Sequence, residues 1–206
     1  NYCCSGDWAF YLEGDEVLHE NDIPVIRASM EQHLHDPRVE ALVFDYHHFF
    51  GSPQWRAISP GWYRRAPRII RNTIRNWSPD GLFFVIMDGN KRGRYPQAAL
   101  VGAPIYHYGH VRRIEAMREK NSRVGRYWGH DHPLFNGYQI DPRALAPFSG
   151  THPRIVQDWL TSDAEVQYTP DPHYVPNRRD LRHRWMMRIE HAFGLELSKK
   201  HYRLVG

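Results

Sequence analysis

The run Trp8-Ala9-Phe10-Tyr11-Leu12 has the composition of a short buried strand, and it ends in Glu13-Gly14-Asp15-Glu16, three carboxylates around one glycine. Carboxylates crowded at a strand end repel one another unless a positive group sits between them. A metal ion is one such group. Glu13 and Asp15 stand two apart and project the same way from extended backbone, and Gly14 lets a ligand approach the main chain closely. Hard oxygen donors at a strand end suit Mg2+ or Mn2+ carrying a diphosphate. By spacing alone, a solvated acidic turn with Asp15 or Glu16 capping a helix is the default.

The chain of 206 residues is long enough to bury a sizeable core, and its 41% hydrophobic content argues against disorder. No apolar run approaches the ~20 residues of a membrane helix, and no signal-peptide pattern opens the sequence. Asn1 begins in mid-pattern, so a fragment of a longer protein is expected. The two cysteines, Cys3 and Cys4, are adjacent and badly placed to bridge each other, which points to a reducing, cytoplasmic location. The net charge of +4 is uneven: Arg178 to Gly206 carries eight Lys/Arg against three Asp/Glu, so the rest is close to neutral. Basicity confined to one end argues against a nucleic-acid partner.

Read for pattern, Asn21 or Asp22 caps a helix running to about His35, with Pro24 in its first turn and Ile23, Ile26, Met30 and Leu34 as its apolar stripe. Ala41 to Phe50 is a strand closed by Gly51-Ser52-Pro53. Leu42, Phe44, Tyr46, His48 and Phe50 share one of its faces, and Val43, Asp45, His47 and Phe49 the other. Pro67 to Arg71, Leu82 to Met87 and Pro104 to Tyr108 read as further strands, with Asp88 to Gln97 as a loop. Helices are predicted from about His110 to Asn121, from Asp141-Pro142 and from Thr151-His152-Pro153. Leu181, Trp185, Ile189 and Phe193 mark a last helix, stopped by Gly194. Strands and helices in this order indicate an α/β or α+β domain.

Other constellations carry candidate chemistry. His107, at a strand end before Tyr108-Gly109, can present a ring nitrogen to a metal or a phosphate, and Arg112 and Arg113 stand where a helix begins. His130-Asp131-His132 resembles a metal-hydrolase cluster, without a second histidine group at matching spacing. Arg68 and Arg71 bracket Ile69-Ile70, and Lys91, Arg92 and Arg94 crowd one loop. Either set can counter phosphate charge, with a solvated face as the default. In the last helix Arg182 and Arg188 fall near the apolar arc rather than opposite it. That poor segregation argues for packing onto the domain, with peripheral membrane contact as the alternative.

Taken in order, Ser5-Gly6-Asp7-Trp8, the apolar strand, Glu13-Gly14-Asp15-Glu16 with Val17-Leu18, His48-Phe49-Phe50-Gly51, Arg68-Ile69-Ile70-Arg71, His107-Tyr108-Gly109 with Val111-Arg112, and the His152-Pro153 helix resemble a family 2 glycosyltransferase over roughly residues 5 to 160. Members typically read GDW…LDADE at the first of these blocks. The resemblance implies an α/β fold, a partial GT-A-like (Rossmann-like) mixed sheet flanked by helices. It implies a truncated catalytic domain over residues 1–160, and a basic helical extension over 161–206 packed on it. The implied activity is metal-dependent transfer of a sugar from a nucleotide-diphosphate donor to an acceptor hydroxyl, with inversion.

In that picture Glu13, Asp15 and His107 hold Mn2+ or Mg2+, while Asp15, Glu16, His107 and Arg112 face the nucleotide sugar and its diphosphate. A divalent ion there neutralises charge on the departing diphosphate without proton transfer. Glu13 stands where the family usually has aspartate, and the half that carries base and ribose binding would precede Asn1. Weak donor binding by this chain alone is therefore expected. Inverting transfer also needs a general base, for which Asp88 is preferred, with Asp45 and Asp131 as alternatives. His48 and Trp55 suit the acceptor side, where the acceptor is a glycan, a lipid or a protein. The competing readings are a metal-dependent phosphodiesterase or nuclease using His130, Asp131 and His132, and a non-catalytic module derived from a transferase.

Overall fold

Ala41–Phe50, rich in aliphatic and aromatic side chains, forms a ten-residue strand whose neighbours build outward from it. The computed structural model describes residues 4–79, 83–87, 93–128, 137–162 and 168–205, with backbone alone at 124 and 126–128. In chain order the elements begin with β1 (Trp8–Phe10), β2 (Glu16–Leu18), α1 (Ile23–Gln32), β3 (Ala41–Phe50), β4 (Ser52–Ala57), β5 (Arg65–Arg71), β6 (Asn76–Trp77) and β7 (Val85–Met87). They continue with β8 (Gly93–Arg94), β9 (Gln97–His110), α2 (Ile114–Trp128), β10 (Leu145–Pro147), α3 (Arg154–Ser162), α4 (Arg178–Phe193) and β11 (Arg203–Leu204). The fold is mixed α/β, with both parallel and antiparallel strand pairing. No helix among the described residues is long and apolar enough to cross a membrane.

The chain divides into two compact units, one of Asn1–Tyr46, Tyr63–Ile105 and Ser198–Gly206, the other of His47–Trp62 and Tyr106–Leu197. In the first, β5 pairs antiparallel with β1 (Ala9 opposite Ile70) and with β3 (Leu42 opposite Ile69), while β11 runs parallel to β9. The alternation of β3 sorts the core as its pattern predicts. Leu42, Phe44 and Tyr46 pack with Ile26, Ile69 and Ile105, whereas Ala41 and Val43 pack with Ile70, Phe84, Ile86 and Tyr202. The short strands β6, β7 and β8 form a separate antiparallel sheet in this unit.

Arg71 closes the C-terminal end of α1. Its guanidinium donates to the carbonyls of His33, Leu34, Asp36 and Val39 at 2.6–3.0 Å, fastening the turns that follow the helix. The Trp8 ring lies 4.5 Å from the same guanidinium. A side chain whose default was a solvated face is therefore a structural clamp.

In the second unit the end of β3 pairs antiparallel with β4, and β4 with β10. α4 begins in a reciprocal capping box between Asn177 and Asp180 and ends at Gly194, whose φ of 64° suits a residue without Cβ.

Several expectations are corrected. The helix predicted at Asp141-Pro142 is one 3-10 turn, Pro142–Ala144, because the chain then extends to pair with β4. β9 starts at Gln97 and runs to His110, so α2 begins only at Ile114. Phe10, Tyr11 and Leu12 are exposed rather than buried, since β1 pairs with β5 alone. The apolar arc of α4 does not pack onto its unit: Leu181, Trp185, Ile189 and Phe193 are 40–72% exposed.

Candidate functional site

The positive group that the acidic strand end requires is Arg68. The register of β3 on β5 slips between Leu42, opposite Ile69, and Val43, opposite Pro67, which leaves Arg68 as an extra residue in a bulge. Bulges re-aim side chains, and this one sends the guanidinium inward. Arg68 Nε donates to Glu16 Oε2 at 3.0 Å, and Nη2 donates to Glu16 Oε1 at 2.8 Å and to Glu13 Oε1 at 3.2 Å. Both Arg68 and Glu16 side chains are 0% exposed. The Tyr46 hydroxyl donates to Glu16 Oε1 at 2.8 Å, and the Tyr11 and Tyr46 rings lie 5.7 and 5.4 Å from the guanidinium. Burial pushes the Tyr46 hydroxyl up, and the neighbouring Glu16 charge adds to it.

This corrects two expectations. Arg68 belongs to the interior rather than to a solvated face, and Glu16, expected at the diphosphate, spends its carboxylate on Arg68 and Tyr46. Glu13 remains 28% exposed on its side chain, and a Cβ at Gly14 would meet nothing within 4 Å. Glu13 shares one oxygen with Arg68, so with Asp15 it offers a divalent ion at most two carboxylates, which fits Mg2+ only when phosphate supplies further oxygens. Among the described residues, no group of three or more His, Cys, Asp and Glu side chains is placed to hold a metal.

The second unit assembles a different constellation. Strand alternation separates the aromatic side chains at the end of β3 into two sets. On one side, Phe49 stacks on Tyr108 at 4.8 Å, and His47 meets Tyr106 and Phe148. Arg56 Nη1 donates to His47 Nδ1 at 2.9 Å, so the His47 proton sits on Nε2. On the other side, buried His48 brings its Nδ1 within 3.0 Å of His107 Nδ1, with Trp62 against the His48 ring at 5.2 Å and His110 6.1 Å from that of His107. A hydrogen bond between two Nδ1 atoms requires one to carry the proton and the other to be neutral.

Phe50 and Trp62 continue this set into a cavity of about 420 Å3, whose wall also includes Asp141, Asn177, His183 and Arg184. Arg184 grips buried Asp141 with both ends of its fork, at 2.6 and 2.8 Å. That hydrogen bonding holds the Asp141 carboxyl below its ordinary range. Burial depresses His183, with the charge of Arg179 acting in the same direction. The rings of Phe50, Trp62 and Tyr174 thus stand among mostly polar and charged side chains, in a volume within the range of small-molecule sites.

Of the other residues anticipated from sequence, Asp45 lies in the first unit, where its carboxylate accepts from Arg65 Nε at 2.7 Å. In the second unit Trp55 packs beside Phe50, Ala57 and Leu145, and it is Trp62 that stands beside His48. The backbone N–H and carbonyl of Arg112 are both bonded to the Tyr138 hydroxyl. Asp88, His130, Asp131 and His132 lie outside the described residues. Trp62, Asp141, His183 and Arg184 were not singled out by motif. Asp141 was anticipated only as a helix start with Pro142, and nothing local marks Trp62, His183 or Arg184. No protein-family model, no curated protein and no solved structure matches the chain.

Proposed function

We propose that this chain is a metal-dependent, nucleotide-sugar-using glycosyltransferase, with the cavity beside Trp62 receiving a sugar of the acceptor. The observation that carries this reading is the 3.0 Å contact between His48 and His107. The family resemblance gives His107 to the metal and diphosphate, the chemistry of its side chain suits His48 to the acceptor, and these side chains, 59 residues apart, share one hydrogen bond. Phe50 and Trp62 offer flat apolar faces to a pyranose ring, while Asn177 and His183 supply donors and acceptors for its hydroxyls. Glu13 and Asp15 are the residues that would hold Mn2+ or Mg2+ together with the donor, and the ion would offset charge on the diphosphate. Transfer to a hydroxyl requires a base at the acceptor oxygen, and Asp88 and Asp45 remain the proposed carboxylates.

The test is thermal stabilisation by Mn2+, by a nucleoside diphosphate and by both together, with His107→Ala alongside the native chain. Stabilisation that needs both ligands and is lost in His107→Ala supports the transferase. Stabilisation by metal alone transfers the assignment to metal-dependent hydrolysis. No response from any combination removes the reading altogether.

A further inference from the structure

The solvent-facing arc of α4 combines features that a buried helix face avoids. Leu181, Trp185, Ile189 and Phe193 follow one another at four-residue spacing and are 46%, 64%, 40% and 72% exposed. At 100° per residue, Arg178 and Arg182 fall inside this arc and Arg188 along its border. The guanidinium of Arg188 lies 5.2 Å from the Trp185 ring. The two acids of the helix are turned away. Asp180 accepts from the Asn177 N–H and the Tyr174 hydroxyl, and Glu190 is buried and accepts from the Leu197 N–H. The exposed face is thus apolar and cationic, with no carboxylate of its own helix upon it.

A second observation lies on the adjoining flank. Arg143, Arg184, Met187, Arg188 and His191 line a groove of about 450 Å3, with no acidic side chain in its wall among the described residues. Arg184 is committed to Asp141, so Arg143 and Arg188 are the groove's remaining guanidinium groups, with the His191 ring beside them. An oxyanion held by guanidinium forks fits such a place. Arg188 borders both the groove and the apolar arc, so an anion bound in one lies beside apolar side chains presented by the other.

We propose that α4 docks this protein on an anionic phospholipid bilayer, with Trp185, Ile189 and Phe193 entering the headgroup boundary and the Arg143–Arg188–His191 groove taking a lipid phosphate. A bilayer offers a plane of phosphates directly above an apolar layer, the order in which these side chains are arranged. Arg178 and Arg182, lying among the apolar residues, can bury their stems and return their charges to the phosphates. A second copy of the same face is a poorer occupant, because a two-fold contact would set these arginines against their own counterparts.

The experiment is co-sedimentation of the chain with phosphatidylcholine vesicles, with and without phosphatidylglycerol, at physiological salt. Binding is expected to rise at least ~10-fold when phosphatidylglycerol is present. Arg188→Gln should lower it by roughly fivefold, the effect of one basic residue near an anionic surface, and Arg143→Gln should act similarly. Trp185→Glu should abolish it while circular dichroism remains native, since the side chain is mostly solvent-facing. Equal sedimentation with both vesicle types, indifference to all three substitutions, or no binding at all would overturn the proposal. Self-association of the native chain that Trp185→Glu removes would instead assign the face to a second copy.

Discussion

Arg68 and Glu16 form a two-bond ion pair with neither side chain exposed to solvent, and it sits where the sequence crowds three carboxylates. Removing water from both charges costs several kcal/mol per ion, and the pair is stable because each oxygen and nitrogen facing inward finds a partner. Removing one member leaves the other charged and buried. Arg68→Met is therefore expected to lose about 3–5 kcal/mol in urea unfolding, while Arg68→Met with Glu16→Gln should lose clearly less than the single substitution. Equal losses in the single and double variants would mean that the charge pairing is not what matters here.

Arg71 makes a more local prediction. One planar guanidinium serves four carbonyls after α1, and an ammonium with three donors and no fork cannot reproduce that pattern. Arg71→Lys should cost about 2 kcal/mol, with the loss concentrated at the end of α1. Hydrogen exchange provides the check: the amides of His33 and Leu34, which bond back into the helix, should lose protection, whereas those of β3 should not.

These two arginines mark the boundary of what the sequence could convey. The faces of β3 follow from a period of two, and the α1 start follows from Pro24, because both are local rules. That Arg68 turns inward depends on a one-residue slip against β3, which only the pairing of distant strands creates. His48 and His107 were each legible as polar residues among aromatics on a strand. Their contact across 59 residues was not, since it depends on how the strands come together. Four-residue spacing correctly announced α4 but not which side it buries. The inward side is chosen by the Arg184–Asp141 pair and by Glu190, one of them a contact 43 residues apart in sequence.

The Arg184–Asp141 pair should make the second unit sensitive to acid. Hydrogen bonds from Arg184 hold the folded Asp141 carboxyl below its ordinary value of 3.8, so the unfolded chain takes up the proton first. The pair's contribution is fully present above pH 3.8 and is lost as pH falls through the lower, folded value. Arg184→Met is expected to lower stability at neutral pH and to remove this part of the acid dependence. Unfolding followed from pH 6 downward to about pH 2 in the two proteins would measure it.

His183, in the wall of the same cavity, adds a second dependence on pH. Burial lowers its pKa from 6.5, and the Arg179 charge lowers it further, so the unfolded chain again binds the proton more readily than the folded one. Stability is thus highest above pH 6.5 and falls as the solution is acidified through that value towards the folded pKa. His183→Gln should flatten this slope. The ring is also held close by Gly61, where an added Cβ would lie 2.6 Å from His183 Cε1. Gly61→Ala must therefore displace the imidazole, at a cost of about 1–3 kcal/mol if the surroundings resist. Displacement should weaken the slope near pH 6.5 as well, because the ring leaves the environment that depresses it. Thermal unfolding of the native chain and both variants across pH 5 to 8 separates these outcomes, and a native slope retained in Gly61→Ala would show that the ring has kept its place.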